Sequence, residues 1–254
     1  MKVNEIEIHP GHWKLTNSGA NGIINEVTEA RKVAKRVFEI LKKFNVPATY
    51  IEDNSSTNQS QNINYLVKEH NKDRDGLIVS IHFNASGGKS NTGIGTEVLY
   101  YSEEELAMKV ANAISKVSGL NNRGARKRTD LGVLAKTYEP AILIEICFVN
   151  STVDVALYRR DFEKICHTIA ECLAEYVGKS LKESEQKMLF TSRALKEETE
   201  FTLSSKARLT MIVEAAIQEG ASEEWRRKHE SRIMTKGDYL GLAAKTIINP
   251  QLKK

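Results

Sequence analysis

The sequence predicts an α/β protein: a twisted, mostly parallel six-stranded sheet with helices on both faces, followed by a small all-helical unit. Three observations carry this. Strand-like and helix-like segments alternate over roughly the first 180 residues, the order in which a chain lays parallel strands beneath covering helices. Two short runs, 76–84 and 141–149, are apolar almost throughout, as strands covered on both faces are. Beyond about residue 180 only helix-like segments remain.

Residues 3–9 alternate β-branched and polar positions and stop at Pro10-Gly11, a turn signal. Over 26–44, Val27, Ala30, Val33, Ala34, Val37, Phe38 and Leu41 recur at helical spacing with Lys and Arg opposite. Residues 47–52 read as a strand and 58–71 as a weaker amphipathic helix. The run 76–84 is the third strand; Gly87-Gly88 breaks the chain and 95–101 resumes as a strand. A helix over 102–118 takes Ser102 as its cap, with Glu103, Glu104 and Glu105 in its first turn, where the helix dipole favours negative charge. Residues 130–134 read as a short strand, 141–149 as a buried one, and 154–177 as a long helix stopped by Gly178. Residues 179–187 are polar and read as a linker; 204–219, 222–234 and 236–248 are helical in character. The expected division is a domain over 1–180 and a small helical domain over 188–254.

With 41% hydrophobic and 28% charged residues, the 254-residue chain has the composition of a soluble globular protein. Its apolar runs fall far short of the roughly 20 residues that span a bilayer, so no membrane insertion is expected. Residues 1–7 lack a positive segment leading into an apolar one, which predicts no secretory signal. The net charge of +4 is mild, and residues 183–254 hold 13 Lys/Arg against 11 Asp/Glu. No face is strongly basic on that count, and no nucleic-acid partner is expected. One cluster, Arg123, Arg126, Lys127 and Arg128, reads either as a solvated loop or as a loop facing an anion. Cys147, Cys166 and Cys172 are odd in number and lack CxxC spacing. They read as buried free thiols, not as a disulfide framework or a thiolate metal site.

Four places bring polar residues to the ends of apolar strands, where open α/β sheets bind ligands: His9-Pro10-Gly11-His12, Glu26, His82 and Glu145. Glu145 stands inside Ile142-Leu143-Ile144-Glu145-Ile146, and a carboxylate there is costly to desolvate unless paired or metal-linked. The bland alternatives are an edge strand with Glu145 facing water, and a hydrogen-bonded core histidine at His82. Two imidazoles and a carboxylate make a catalytic zinc site with one position open to water, and a second carboxylate nearby can take that water's proton. Competing motifs fail. Phe83 stands where a phosphate loop ending in Gly88-Lys89-Ser90 needs glycine; no HExxH and no GxSxG occurs.

His-Pro-Gly-His after the first strand, Ser80-Ile81-His82-Phe83-Asn84-Ala85, Asn122-Arg123-Gly124-Ala125 and the run 140–150 together resemble the zinc-dependent N-acetylmuramoyl-L-alanine amidases over about residues 1–178. These are the catalytic domains of bacterial autolysins and phage endolysins. The resemblance implies Zn2+ held by His12, Glu26 and His82, with Glu145 as the catalytic glutamate. It implies hydrolysis of the amide between N-acetylmuramic acid and L-alanine of the stem peptide by zinc-activated water, leading to lysis. Arg123 and Asn84 are candidate substrate contacts. Two departures stand out. The family commonly has Asp where this chain has His9, which makes His9 a further candidate ligand, and Glu29, one turn after Glu26, is an alternative to it.

The lack of a signal and the short extra domain look like a phage or prophage endolysin, made in a host bacterial cytoplasm and acting on the wall after release. Peptidoglycan is the implied partner, and the helical domain a wall-binding element for anionic polymers. Trp225, Tyr239 and Arg226-Arg227-Lys228 are its candidate contacts, or else a core aromatic and a solvated face; oligomeric state is left open. Two other readings stand beside this one: a zinc peptidase cutting within the stem peptide, and a wall-binding module with an idle site.

Overall fold

Residues 3–14, 18–181, 197, 200, 202–218 and 220–243 are described by a computed structural model. The chain runs β1 (Glu5–Pro10), α1 (Glu26–Lys43), β2 (Ala48–Tyr50), α2 (Gln59–His70), β3 (Gly76–Asn84), β4 (Thr96–Tyr100), α3 (Glu104–Ser118), β5 (Asn122–Lys127), α4 (Gly132–Lys136), β6 (Ala141–Phe148) and α5 (Thr152–Tyr176). The six strands form one sheet in the order β2-β1-β3-β6-β4-β5. All neighbours are parallel except β4 against β6.

Strand alternation sorts the side chains between two faces. Ile6 and Ile8 of β1, Leu77, Val79, Ile81 and Phe83 of β3, and Ile142 and Ile144 of β6 pack with α1, α3 and α5 into the main core. Ile78, Leu99, Ala141 and Leu143 face the other way and pack with Leu66 of α2 and with Val133 and Leu134 of α4. The same parity sends Glu7, His9, Ser80, His82, Glu97 and Glu145 to this second, thinner layer. Every chemically unusual strand residue therefore lies on one face of the sheet.

Two local expectations are corrected. Residues 130–134 are not a strand: Gly132–Lys136 is a short helix whose Val133 and Leu134 cap the second core. The fifth strand is Asn122–Lys127, which lacks an apolar alternation. It is an edge strand paired only with β4, and exposed charge is how edge strands discourage further pairing. Nor does Ser102 cap α3: Glu103 is the cap residue and makes no side-chain cap bond. The Ser102 hydroxyl donates to Glu103 Oε1 at 3.1 Å instead. The three cysteines are free and buried.

Asp154, in the first turn of α5 and 0% exposed, ties three segments together. Its carboxylate accepts from Ile94 N and Gly95 N, each at 2.9 Å, and from Phe148 N at 3.2 Å. Asp154→Ala removes the acceptor of three amides, so the expected loss is at least about 3 kcal/mol of stability, from about 1–3 kcal/mol each. It should show as a lower urea midpoint at unchanged slope, and an unchanged midpoint would refute it.

The chain divides into two compact units, Met1–Lys182 and Glu183–Lys254. In the second, α6 (Lys206–Gln218), α7 (Glu224–Glu230) and a helical stretch over 236–243 enclose Val213, Ala216, Ala221, Tyr239 and Leu242. Tyr239 is thus a core aromatic, its hydroxyl 2.7 Å from His229 Nδ1. Trp225 packs at the core's rim beneath Lys228, and Arg226 pairs with Glu214 and Glu223. No helix among the described residues is long and apolar enough to cross a membrane.

Candidate metal centre

The site forms at the carboxyl ends of β1, β3 and β6. Gly11 N donates to Ile81 O at 2.7 Å, extending the β1–β3 ladder by one rung. The chain then turns sharply, with His12 at φ +65°. A non-glycine residue rarely adopts that backbone, and such strain gathers at functional sites. Asn25 caps α1 through Thr28 N at 2.9 Å. That sets Glu26 as the first helical residue, 4% exposed.

These placements bring three side chains together. His12 Nε2 lies 3.1 Å from Glu26 Oε1, and His82 Nδ1 lies 3.0 Å from the same oxygen. All three potential ligand atoms fall within 4.8 Å of one another. Glu26 is also held from behind. Its Oε2 accepts from Ala20 N at 2.6 Å and its Oε1 from Phe83 N at 3.1 Å. Burial alone would raise its pKa, but hydrogen bonds from His12 and His82 outweigh that and hold the carboxyl well below the usual range. Burial lowers His82, against the pull of Glu26.

Glu145 faces His82 across the β3–β6 pair and Glu97 across β4–β6. Its Oε2 is buried without a hydrogen-bond partner among the described residues. Burial, then the charges of Glu26 and Glu97, push it up to about 8, with Arg128 opposing.

The remaining candidates fall elsewhere. Glu29 Oε2 accepts from Tyr158 at 2.7 Å and its Oε1 pairs with Lys32, away from the two imidazoles. His9 is fully buried, its Nδ1 2.8 Å from His70 Nε2. Asn84 and Arg123 both bond Glu97, at 2.8 and 3.0 Å, and Arg126 joins them at 2.9 Å. Glu97 is the residue that sequence reasoning missed. It is 5% exposed, fixes two candidate substrate contacts and stands beside Glu145. A charge inside Thr96-Glu97-Val98-Leu99-Tyr100 is the same signal that singled out Glu145.

A hollow of about 360 Å³ is bounded by Asn21–Ile23, which lead into Glu26, and by Ala85, Ser86 and Asn150. A larger shallow one, about 680 Å³, runs along α3 and touches none of these residues. Neither is lined by His12, Glu26, His82 or Glu145.

Gly11 packs directly beneath the His82 ring, and a Cβ there would collide with it. Gly11→Ala is therefore expected to swing the imidazole off Glu26. Misplacing a ligand's support typically weakens metal binding about 10–100-fold. A chelator-competition titration checks this, and unchanged affinity would show that the ring is not held by that contact.

Comparison with known proteins gives one consistent answer. A family model described as N-acetylmuramoyl-L-alanine amidase matches residues 6–175. An uncharacterized protein of Clostridium perfringens is 31% identical over 209 residues, 80% of this chain and 60% of that one. The chain spans about 53–60% of the length of its two Clostridium perfringens relatives. Among solved structures, the catalytic domain of the CD27L endolysin targeting Clostridia difficile superposes with a TM-score of 0.59 at 26% identity, over 69% of this chain and 98% of that one. The catalytic domain of CwlV, an N-acetylmuramoyl-L-alanine amidase from Bacillus (Paenibacillus) polymyxa, gives 0.56 at 26% identity, over 68% and 98%. With the family match running from β1 to the end of α5, over more than half of its length, the chain belongs to the N-acetylmuramoyl-L-alanine amidase family.

Proposed function

We propose that this chain hydrolyses the amide between N-acetylmuramic acid and the L-alanine of the peptidoglycan stem peptide. The observation that carries the reading is the meeting of His12, Glu26 and His82 beside Glu145, a buried carboxyl with an unpartnered oxygen. The donor set suits Zn2+. Bonds of about 2.0–2.1 Å in a tetrahedron set ligand atoms roughly 3.3 Å apart, and Glu26 Oε1 stands 3.0 and 3.1 Å from the two imidazole nitrogens. Zinc bound there supplies Lewis acidity toward the scissile carbonyl and a water.

The protein's own groups do the rest. Glu26 is kept ionised by its imidazole partners and oriented by two backbone amides, so both histidines meet a fixed anchor. Glu145 takes the proton of the attacking water and returns it to the leaving nitrogen. Its burial and the charges of Glu26 and Glu97 raise its affinity for that proton. Glu97 keeps Asn84 and Arg123 facing the approach to Glu145, where they can meet the substrate's carbonyl groups.

On this reading the enzyme is of the lytic, endolysin type, produced in a bacterial host and acting on the wall. The helical unit carries it to that wall, with anionic polymers as ligands. Cosedimentation of the full chain with sacculi, before and after acid removal of those polymers, tests the second part.

The decisive experiment is mass spectrometry of products from purified Gram-positive peptidoglycan, with chelator and with zinc restored. Stem peptides with a new L-alanine amino terminus, lost on chelation and regained with zinc, are expected. Cuts within the peptide would overturn the bond assignment, and intact peptidoglycan with zinc bound would overturn the activity.

A further inference from the structure

The same sheet face carries a second cluster at its other end. Glu7 lies on β1 three residues before the strand's end at Pro10, about 10 Å from that end at roughly 3.3 Å per strand residue. Around it stand His70 at the end of α2, Asp73 in the turn to β3, and Glu139 just before β6. Carboxylate oxygens of Glu7, Asp73 and Glu139 lie within 4.8 Å of one another. His70 Nδ1 bonds Glu7 Oε2. Gly76 leaves the space open: a Cβ there would sit 3.1 Å from both Glu7 Oε1 and Glu139 Oε2.

Two features separate this from an ordinary acidic surface. Glu7, Glu139 and His70 are buried, at 4%, 4% and 0% exposure. And Glu139, whose Oε1 accepts from Gly76 N at 2.7 Å, turns its Oε2 into the cluster with no hydrogen-bond partner. Among the described residues no Lys or Arg pairs with any of the three acids. Buried anions left uncompensated either take up protons or take up a cation. Without a cation, burial and the charge of Asp73 push Glu7 up to about 8. Burial and the charge of Glu7, opposed by the Gly76 amide, push Glu139 up to about 7. Burial keeps His70 neutral, at about 4. With Nε2 turned to His9 Nδ1 at 2.8 Å, the kind of outer bond that orients ligating histidines, His70 Nδ1 faces Glu7 Oε2, and a cation entering there would displace the proton the two atoms share.

We propose that Glu7, His70, Asp73 and Glu139 form a second, structural site for a divalent transition cation, separate from the His12–Glu26–His82 centre. Three carboxylates and one imidazole suit Mn2+ or Zn2+; Ca2+ prefers an all-oxygen shell of six to eight ligands. Such an ion would clip β1, the α2–β3 turn and the entry to β6 together.

The test uses the full chain, stripped with chelator and desalted, then titrated with Mn2+ while free Mn2+ is followed by electron paramagnetic resonance. Zinc content after loading is measured in parallel. The wild type is expected to bind two equivalents, Asp73→Asn and Glu139→Gln one each, His82→Ala one, and the His82→Ala/Glu139→Gln double variant none. Thermal melting supplies a second readout. Glu139→Gln removes a buried acid, so in chelator it should melt at or above the wild type, yet Mn2+ should raise its Tm less than the wild type's. Asp73 is exposed, so Asp73→Asn decides the matter if a buried variant fails to fold. A single equivalent that His82→Ala abolishes would overturn the site, and so would two equivalents retained in Asp73→Asn and Glu139→Gln.

Discussion

Glu145→Gln is expected to lower turnover about 10³-fold, in the middle of the range for losing a general acid–base group, with zinc content and fold unchanged. The amide keeps the shape of the side chain in β6 but cannot accept the water's proton. Nor does any other carboxylate stand ready: Glu97 is engaged by Asn84, Arg123 and Arg126, and Glu26 by His12 and His82. Stability supplies an independent check. Glu145 has an ordinary value of 4.5 and is raised to about 8 in the fold. Its contribution to stability is therefore present below about 4.5 and is lost as pH rises towards 8. Glutamine undergoes no such loss. In zinc-free protein the variant should melt above the wild type at pH 8, with the gap closing on acidification. Loss of zinc in Glu145→Gln would mean that Glu145 and Glu26 have each other's roles; retained turnover would remove Glu145 from the chemistry.

The fold was legible where local and global signals agree. The run Gly76–Asn84 has its limits set by Asp75-Gly76 and by the loop glycines, and the strand observed has those limits. Asn25, Asn58 and Ser151 each bond an amide in the first turn of α1, α2 and α5, so those helices start where a side-chain cap can work. Legibility failed where tertiary context decides. Asn122–Lys127 is a strand because β4 offers it an edge, not because its own residues prefer one. Leu131-Gly132-Val133-Leu134 is a short apolar run, a pattern that periodicity cannot assign to strand or helix. Here it closes one turn over the second core.

The site was legible for a related reason. His82 and Glu145 each break an apolar run, and an unexplained polar residue in such a run is the strongest signal a single sequence offers; Glu26 opens a helix among polar neighbours and was singled out as a ligand through the family resemblance. Glu97 gives the same signal in a shorter strand. His70, Glu139 and Asp73 give none, since each stands in a polar stretch. Only the fold, by bringing the end of α2 beside the first residues of β3 and the approach to β6, makes their chemistry visible.

Glu26→Ala is expected to abolish zinc binding at the His12 centre and, with it, turnover. It should also weaken the fold by about 2–6 kcal/mol, because Ala20 N and Phe83 N lose their acceptor at about 1–3 kcal/mol each. The two effects share a cause. The carboxylate that joins the two imidazoles also pins the loop before α1 to the end of β3 through Ala20 N at 2.6 Å and Phe83 N at 3.1 Å. Metal affinity and the order of that loop are therefore coupled. Urea unfolding with and without zinc separates the contributions. The wild type should gain stability from zinc by mass action. Glu26→Ala should lose only the gain attributable to the His12 centre, while starting from a lower midpoint in chelator. Glu26→Gln keeps an oxygen for one of the two amides and should fall between them in chelator, yet match Glu26→Ala in having lost that gain. A glutamine variant that binds zinc at this centre as tightly as the wild type would show that the charge of Glu26 is not what holds the metal. Its place would then pass to Glu29, whose carboxylate now serves Tyr158 and Lys32.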